Sequence, residues 1–90
     1  MKSMKVKFIE DPHMFETYDL GLASTLLSFS FPILSIDRSK DGRCCFQFLK
    51  TQTLQDMVGE YWDRKTRVEP QRLLEVLRSL KARIYAEPES

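Results

Sequence analysis

Glycine, cysteine and histidine are scarce in this chain, and each scarcity removes a class of chemistry. Three Gly in 90 residues leave no G-x-G-x-x-G, P-loop or G-x-S-x-G pattern, so no phosphate-cradling loop or nucleophile elbow is encoded. Two Cys and one His fall short of the four Cys/His ligands of a structural zinc site, and no C-x-x-C spacing occurs. Four Pro and three Gly beside 42% hydrophobic residues exclude a low-complexity chain. No cofactor, metal or small-molecule substrate is expected.

Long apolar runs are missing too. The longest uncharged stretch, "LGLASTLLSFSFPILSI" over 20–36, holds five hydroxyl residues and is cut by Pro32. A spanning helix needs about twenty mostly apolar residues, so this stretch reads as a buried helix followed by a buried strand. Glu10 and Asp11 follow the first lysines where an export signal would need its apolar region. The expectation is a cytoplasmic protein without a membrane segment.

What is present is the pattern of one small α+β domain over 1–90. "MKVKFI" (4–9) alternates apolar and basic residues and reads as an N-terminal strand; "MFETY" (14–18) reads as a second short extended piece. Asp19 has the character of an N-cap for an apolar helix to about residue 29. Ile33 to Asp37 and Arg43 to Leu49, joined across Asp41–Gly42, make the clearest hairpin. Thr53 and Asp56 have capping-box spacing, and Leu54, Met57, Val58 and Tyr61 follow at helical intervals. Pro70 suits the first turn of a last helix whose stripe is Leu73, Val76, Leu77, Leu80 and Ile84. The expected architecture is a small antiparallel sheet, the central hairpin 33–37/43–49 plus the N-terminal strand, packed against three helices at about 19–29, 53–63 and 70–85.

The vicinal pair Cys44–Cys45 raises the question of redox or metal chemistry. Neighbours along a strand point to opposite faces, so Cys44 joins Phe46 and Phe48 while Cys45 joins Gln47 and Leu49. The sulfurs diverge, and both read as small apolar fillers in a reducing compartment. His13 could pair with Cys45 as base and nucleophile, but it sits beside Pro12 in a turn with only the co-occurrence of the two residue types behind it. The chain is expected to be non-enzymatic.

Charge is uneven although the net value is +1. Residues 10–60 carry eight acids against four bases, and residues 61–86 seven bases against three acids. The basic connector Arg64, Lys65 and Arg67 is the candidate nucleic-acid contact, with Tyr61, Trp62 and Tyr85 as candidate stacking aromatics. On the last helix, Arg72 and Arg83 fall on one flank of the apolar stripe and Arg78 and Lys81 on the other. That split suits long stems over a core edge better than a groove-reading helix. Trp62 shares the side of Leu54, Val58 and Tyr61 and is expected at the core or its edge.

The first helix carries no charge on any side. Its non-apolar half, Gly21, Ser24, Thr25 and Ser28, is either covered by the domain itself or meets another chain. In the second case it is a candidate self-association surface for a homodimer.

"ETYDLGLASTLLSFSFPILSIDRSKDGRCCFQF" followed by "YWDRKTRVEPQRLLEVLRSLKARIY" resembles a family of short, uncharacterised bacterial and phage proteins catalogued as a domain of unknown function. The likeness covers about 15–85. It consists of an extended piece before an Asp-capped apolar helix, a hairpin with alternating Phe, a Tyr-Trp helix end, an acid-Pro helix start and a Leu-rich helix closing on Lys-x-Arg-Ile-Tyr. Asp63–Arg64 stands where that family favours an Asn-Gly-like turn, and Glu69 where Asp is usual. The resemblance implies no catalytic site. Occurrence of that family in phages and mobile elements favours interaction and nucleic-acid roles over metabolic ones; taken with the residues, the expectation is a non-enzymatic interaction or regulatory module with a protein partner or a second copy, with weak nucleic-acid binding through the connector 64–67 as the alternative.

Overall fold

A computed structural model describes residues 13–38 and 42–86. Three strands, β1 (Met14–Thr17), β2 (Ile33–Arg38) and β3 (Cys44–Leu49), and three helices, α1 (Leu20–Ser28), α2 (Gln52–Trp62) and α3 (Pro70–Ala86), follow in the order β1-α1-β2-β3-α2-α3. Strand β3 lies in the middle, antiparallel to both neighbours. The chain is therefore a small α+β domain with a three-stranded antiparallel sheet and three helices. The strand expected over 4–9 lies outside the described residues; the third strand seen is the short piece at 14–17.

Register explains which side of the sheet is apolar. Phe15 pairs with Phe48 and Thr17 with Phe46 on one edge, while Ile33 pairs with Phe48 and Ile36 with Phe46 on the other. Strict alternation would send Ile33 and Ile36 to opposite faces. A bulge between Ile33 and Ser35 rephases β2, so both isoleucines pack on the core and Leu34 is turned outward. Gly42 closes the hairpin with φ +89°, a left-handed conformation that suits glycine.

Helix α1 is the hub. Asp19 caps it: its Oδ1 accepts from the Leu22 N–H at 2.9 Å, while its own N–H donates to Thr17 Oγ1 at 3.0 Å. Leu22, Ala23 and Leu26 join Phe46 and Phe48 of the sheet, Leu54 of α2 and Leu80 of α3 in one buried cluster. Ser24, Thr25 and Ser28 are buried as well, so most of α1 is covered by its own chain. This corrects the idea of a self-association surface at Gly21, Ser24, Thr25 and Ser28, because only Gly21 is exposed. The physical reason is size and polarity. Small side chains let the other elements approach closely, and the Thr25 and Ser28 hydroxyls are satisfied inside the helix, donating to Gly21 O and Ser24 O at 2.9 Å each.

Helix α2 starts two residues earlier than the expected capping box. Thr51 is the N-cap, its Oγ1 accepting from Leu54 N–H at 3.1 Å, while Asp56 accepts instead from the Gln52 amide at 2.9 Å. Helix α3 starts on Glu69 and Pro70. The Glu69 carboxylate accepts from the N–H groups of Gln71 at 3.1 Å and Arg72 at 2.8 Å, placing negative charge where the helix dipole favours it.

Candidate functional site

The corner where α2 passes into the connector is built by a helix terminus. Past Trp62 the chain makes a double turn: Arg64 N–H donates to Tyr61 O at 3.0 Å and Lys65 N–H to Glu60 O at 2.9 Å, the two bonds of a Schellman cap. This puts Arg64 in the left-handed region with φ 61°. A side chain there normally costs about 1–2 kcal/mol relative to glycine.

Trp62 is 58% exposed, which corrects its expected place at the core or its edge. Eight residues after Leu54 it has rotated about 80° from that buried leucine, and the helix ends before anything can cover it. Its ring stands edge-on to Tyr61, with centroids 5.0 Å apart and planes at 81°. Tyr61, Trp62 and Arg64 line a cavity of about 370 Å³. Lys65 and Arg67 are exposed, while Thr66 and Val68 between them are half-buried. The connector therefore alternates, anchored by Thr66 and Val68 with its cations outward. Glu60 and Asp63 are exposed nearby and reduce the local positive balance. Tyr85, 80% exposed, lies at the far end of α3, about 22 Å along the helix from Pro70, and is not part of this corner.

The hydroxyl end of Tyr61 is engaged with α1. Its hydroxyl bonds to Asp19, and burial first, then the Asp19 charge and that hydrogen bond, push its ionisation above the ordinary tyrosine value. Arg72 is also committed: its Nε donates to Ser28 O at 2.9 Å, so it closes the C-terminal end of α1 rather than lying free over a core edge.

The two cysteines diverge across the sheet. Cys44 packs against the core, and Cys45 is buried on the opposite face. Burial, and after it the carboxylates of Glu16 and Asp37, raise the Cys45 thiol's ionisation, with the Tyr18 hydroxyl acting weakly against them. A thiol held protonated is a poor nucleophile. His13 is not beside it. The His13 carbonyl accepts from Lys50 N–H at 2.6 Å, and Cys45 lies five residues further along β3, about 16 Å away. Among the described residues no group of three or more His, Cys, Asp or Glu could hold a metal ion.

Sequence reasoning missed the network on that outer face. The Gln47 amide donates to Glu16 Oε2 at 2.8 Å and Asp37 Oδ2 at 3.4 Å, and its oxygen accepts from Ser35 Oγ. The signal was there, in a lone amide at the centre of the middle strand's polar face.

Residues 13–86 fit the model of a family described as "Domain of unknown function (DUF5659)". No match was found among curated proteins or among solved structures.

Proposed function

The chain belongs to the DUF5659 family of unknown function, and from that premise we propose that it is a non-enzymatic binding module whose working surface is the Trp62–Arg67 corner. The ligand this corner suits best is a single nucleic-acid strand. The observation that carries the reading is Trp62, standing 58% exposed beside Arg64 with Lys65 and Arg67 following. An exposed ring next to cations is the arrangement on which bases stack while phosphates are neutralised. The exposed acids Glu60 and Asp63 weaken the binding, and its dependence on phosphate contacts by the cations makes it salt-sensitive.

Other features support the non-enzymatic reading. Cys45 is held as a thiol, and His13 lies at the other end of the sheet. Two free cysteines suit a reducing, cytoplasmic setting, and no helix among the described residues is long and apolar enough to cross a membrane. The resemblance to short bacterial and phage proteins fits a regulatory role better than a metabolic one.

Trp62 is the single tryptophan of the chain, so its fluorescence reports on the site directly. Titration with oligothymidylate at low ionic strength is expected to quench that emission, and added salt to restore it. Replacing Arg64, Lys65 and Arg67 together with alanine abolishes the quenching. An emission that oligothymidylate leaves unchanged at low salt refutes the reading.

A further inference from the structure

A second surface lies on α3, away from the Trp62 corner. Arg72, Val76, Ser79, Leu80 and Arg83 share a band about 100° wide on that helix, and with Leu27 of α1 they line a cavity of about 260 Å³. Arg83 also borders a neighbouring cavity of about 290 Å³ lined by Ile36 and Arg38 of β2 and by Ile84. Arg83 is common to the two cavities, which together make a groove of aliphatic residues set between Arg38, Arg83 and Arg72. Arg38 and Arg83 have no ion pair with a carboxylate among the described residues, and both are exposed.

We infer that this groove docks an acidic amphipathic segment of a protein partner. Charge complementarity identifies the occupant, since guanidinium forks at Arg38 and Arg83 match carboxylates in paired geometry. The floors decide between partner classes. They are aliphatic, and no aromatic ring lines either cavity, so bases have nothing to stack on. Each cavity is smaller than the usual small-molecule site of roughly 300–1,000 Å³ and is of a size to take an apolar side chain. A helix presenting aliphatic residues one or two turns apart, flanked by Glu or Asp, satisfies both requirements. Arg72 contributes little of its own charge here, because its Nε is engaged with Ser28 O.

The test uses the full chain and a synthetic helical peptide with leucines at i, i+4 and i+7 flanked by glutamates. Its control has lysine at every glutamate. Calorimetry is expected to give micromolar binding of the acidic peptide and none of the basic one. Arg83→Glu and, separately, Arg38→Glu are each expected to weaken binding roughly tenfold or more with an unchanged circular dichroism spectrum. Trp62→Ala leaves peptide binding intact, and Arg83→Glu leaves quenching of Trp62 by oligothymidylate intact, so this proposal and the corner's function stand or fall separately. Equal binding of the two peptides, no binding of the acidic one, or full affinity in both arginine variants overturns the inference. So does loss of oligothymidylate binding in Arg83→Glu, which would make the groove part of a nucleic-acid surface.

Discussion

Tyr61 and Asp19 join two helices through one hydrogen bond. The carboxylate that caps α1 through the Leu22 N–H also receives the hydroxyl of Tyr61 from α2. Gly21 makes room for this. A Cβ at that position would lie 2.7 Å from the Tyr61 hydroxyl, closer than the two atoms tolerate, and a tight 3.2 Å from Asp19 Oδ1.

Tyr61→Phe is accordingly expected to cost about 1–2 kcal/mol, the range for a hydrogen bond to a charged group that is partly exposed. The alkaline limb of stability carries a specific signature. Tyr61 ionises at higher pH folded than unfolded, so its contribution is complete below about pH 10 and fades as pH rises through the folded value. Melting temperatures followed from neutral to strongly alkaline pH are expected to show a smaller drop in Tyr61→Phe than in the parent. An identical drop in both proteins refutes the coupling.

Two helix ends carry residues in a backbone region that glycine prefers. Ser30 has φ 72° and Arg64 φ 61°, each at the position after a helix cap. Ser30→Gly and Arg64→Gly are each expected to stabilise the chain by about 1 kcal/mol in urea unfolding. The variants then part company: Ser30→Gly leaves oligothymidylate binding unchanged, whereas Arg64→Gly weakens it. Greater stability at the expense of binding is the expected mark of a residue retained for contact rather than for the fold.

Ser24 is 1% exposed, and its hydroxyl has no hydrogen-bond partner. An unsatisfied buried hydroxyl destabilises by about 1–3 kcal/mol, so Ser24→Ala is expected to raise the urea midpoint. Ser24→Glu forces a charge into the same enclosed site and unfolds the chain. A folded Ser24→Glu monomer would contradict the enclosure of α1.

Arg72 reaches from the first turn of α3 to the last carbonyls of α1. Arg72→Ala is expected to cost about 1–2 kcal/mol, and high salt recovers little of it because the contact is partly buried. Arg78→Ala, at an exposed position of the same helix, serves as the comparison and changes stability by about 0.5 kcal/mol or less.

The elements were largely legible before the fold was seen, because their signals are local. Alternation around Phe46 and Phe48 marks β3, the spacing of Leu54, Val58 and Tyr61 marks α2, and Asp19 announces α1. What escaped depends on contacts between distant residues. No local pattern tells that Met14–Thr17 pairs with β3, or that a bulge at Leu34 turns two isoleucines to one side. Thr51 takes the cap expected of Thr53 because its extended backbone aims Oγ1 at Leu54. The connector's cations were legible as charge. The exposure of Trp62 was not, since its wheel position borders the core and only the end of the helix decides that nothing lies over it.

The enclosure of α1 has a consequence for how the chain opens. Its amides are screened by the sheet on one side and by helices on the other, and no part of that cover belongs to a separable unit. Exchange of those amide protons with solvent deuterium therefore awaits complete unfolding, whereas protons at the α2–α3 corner exchange through small local excursions.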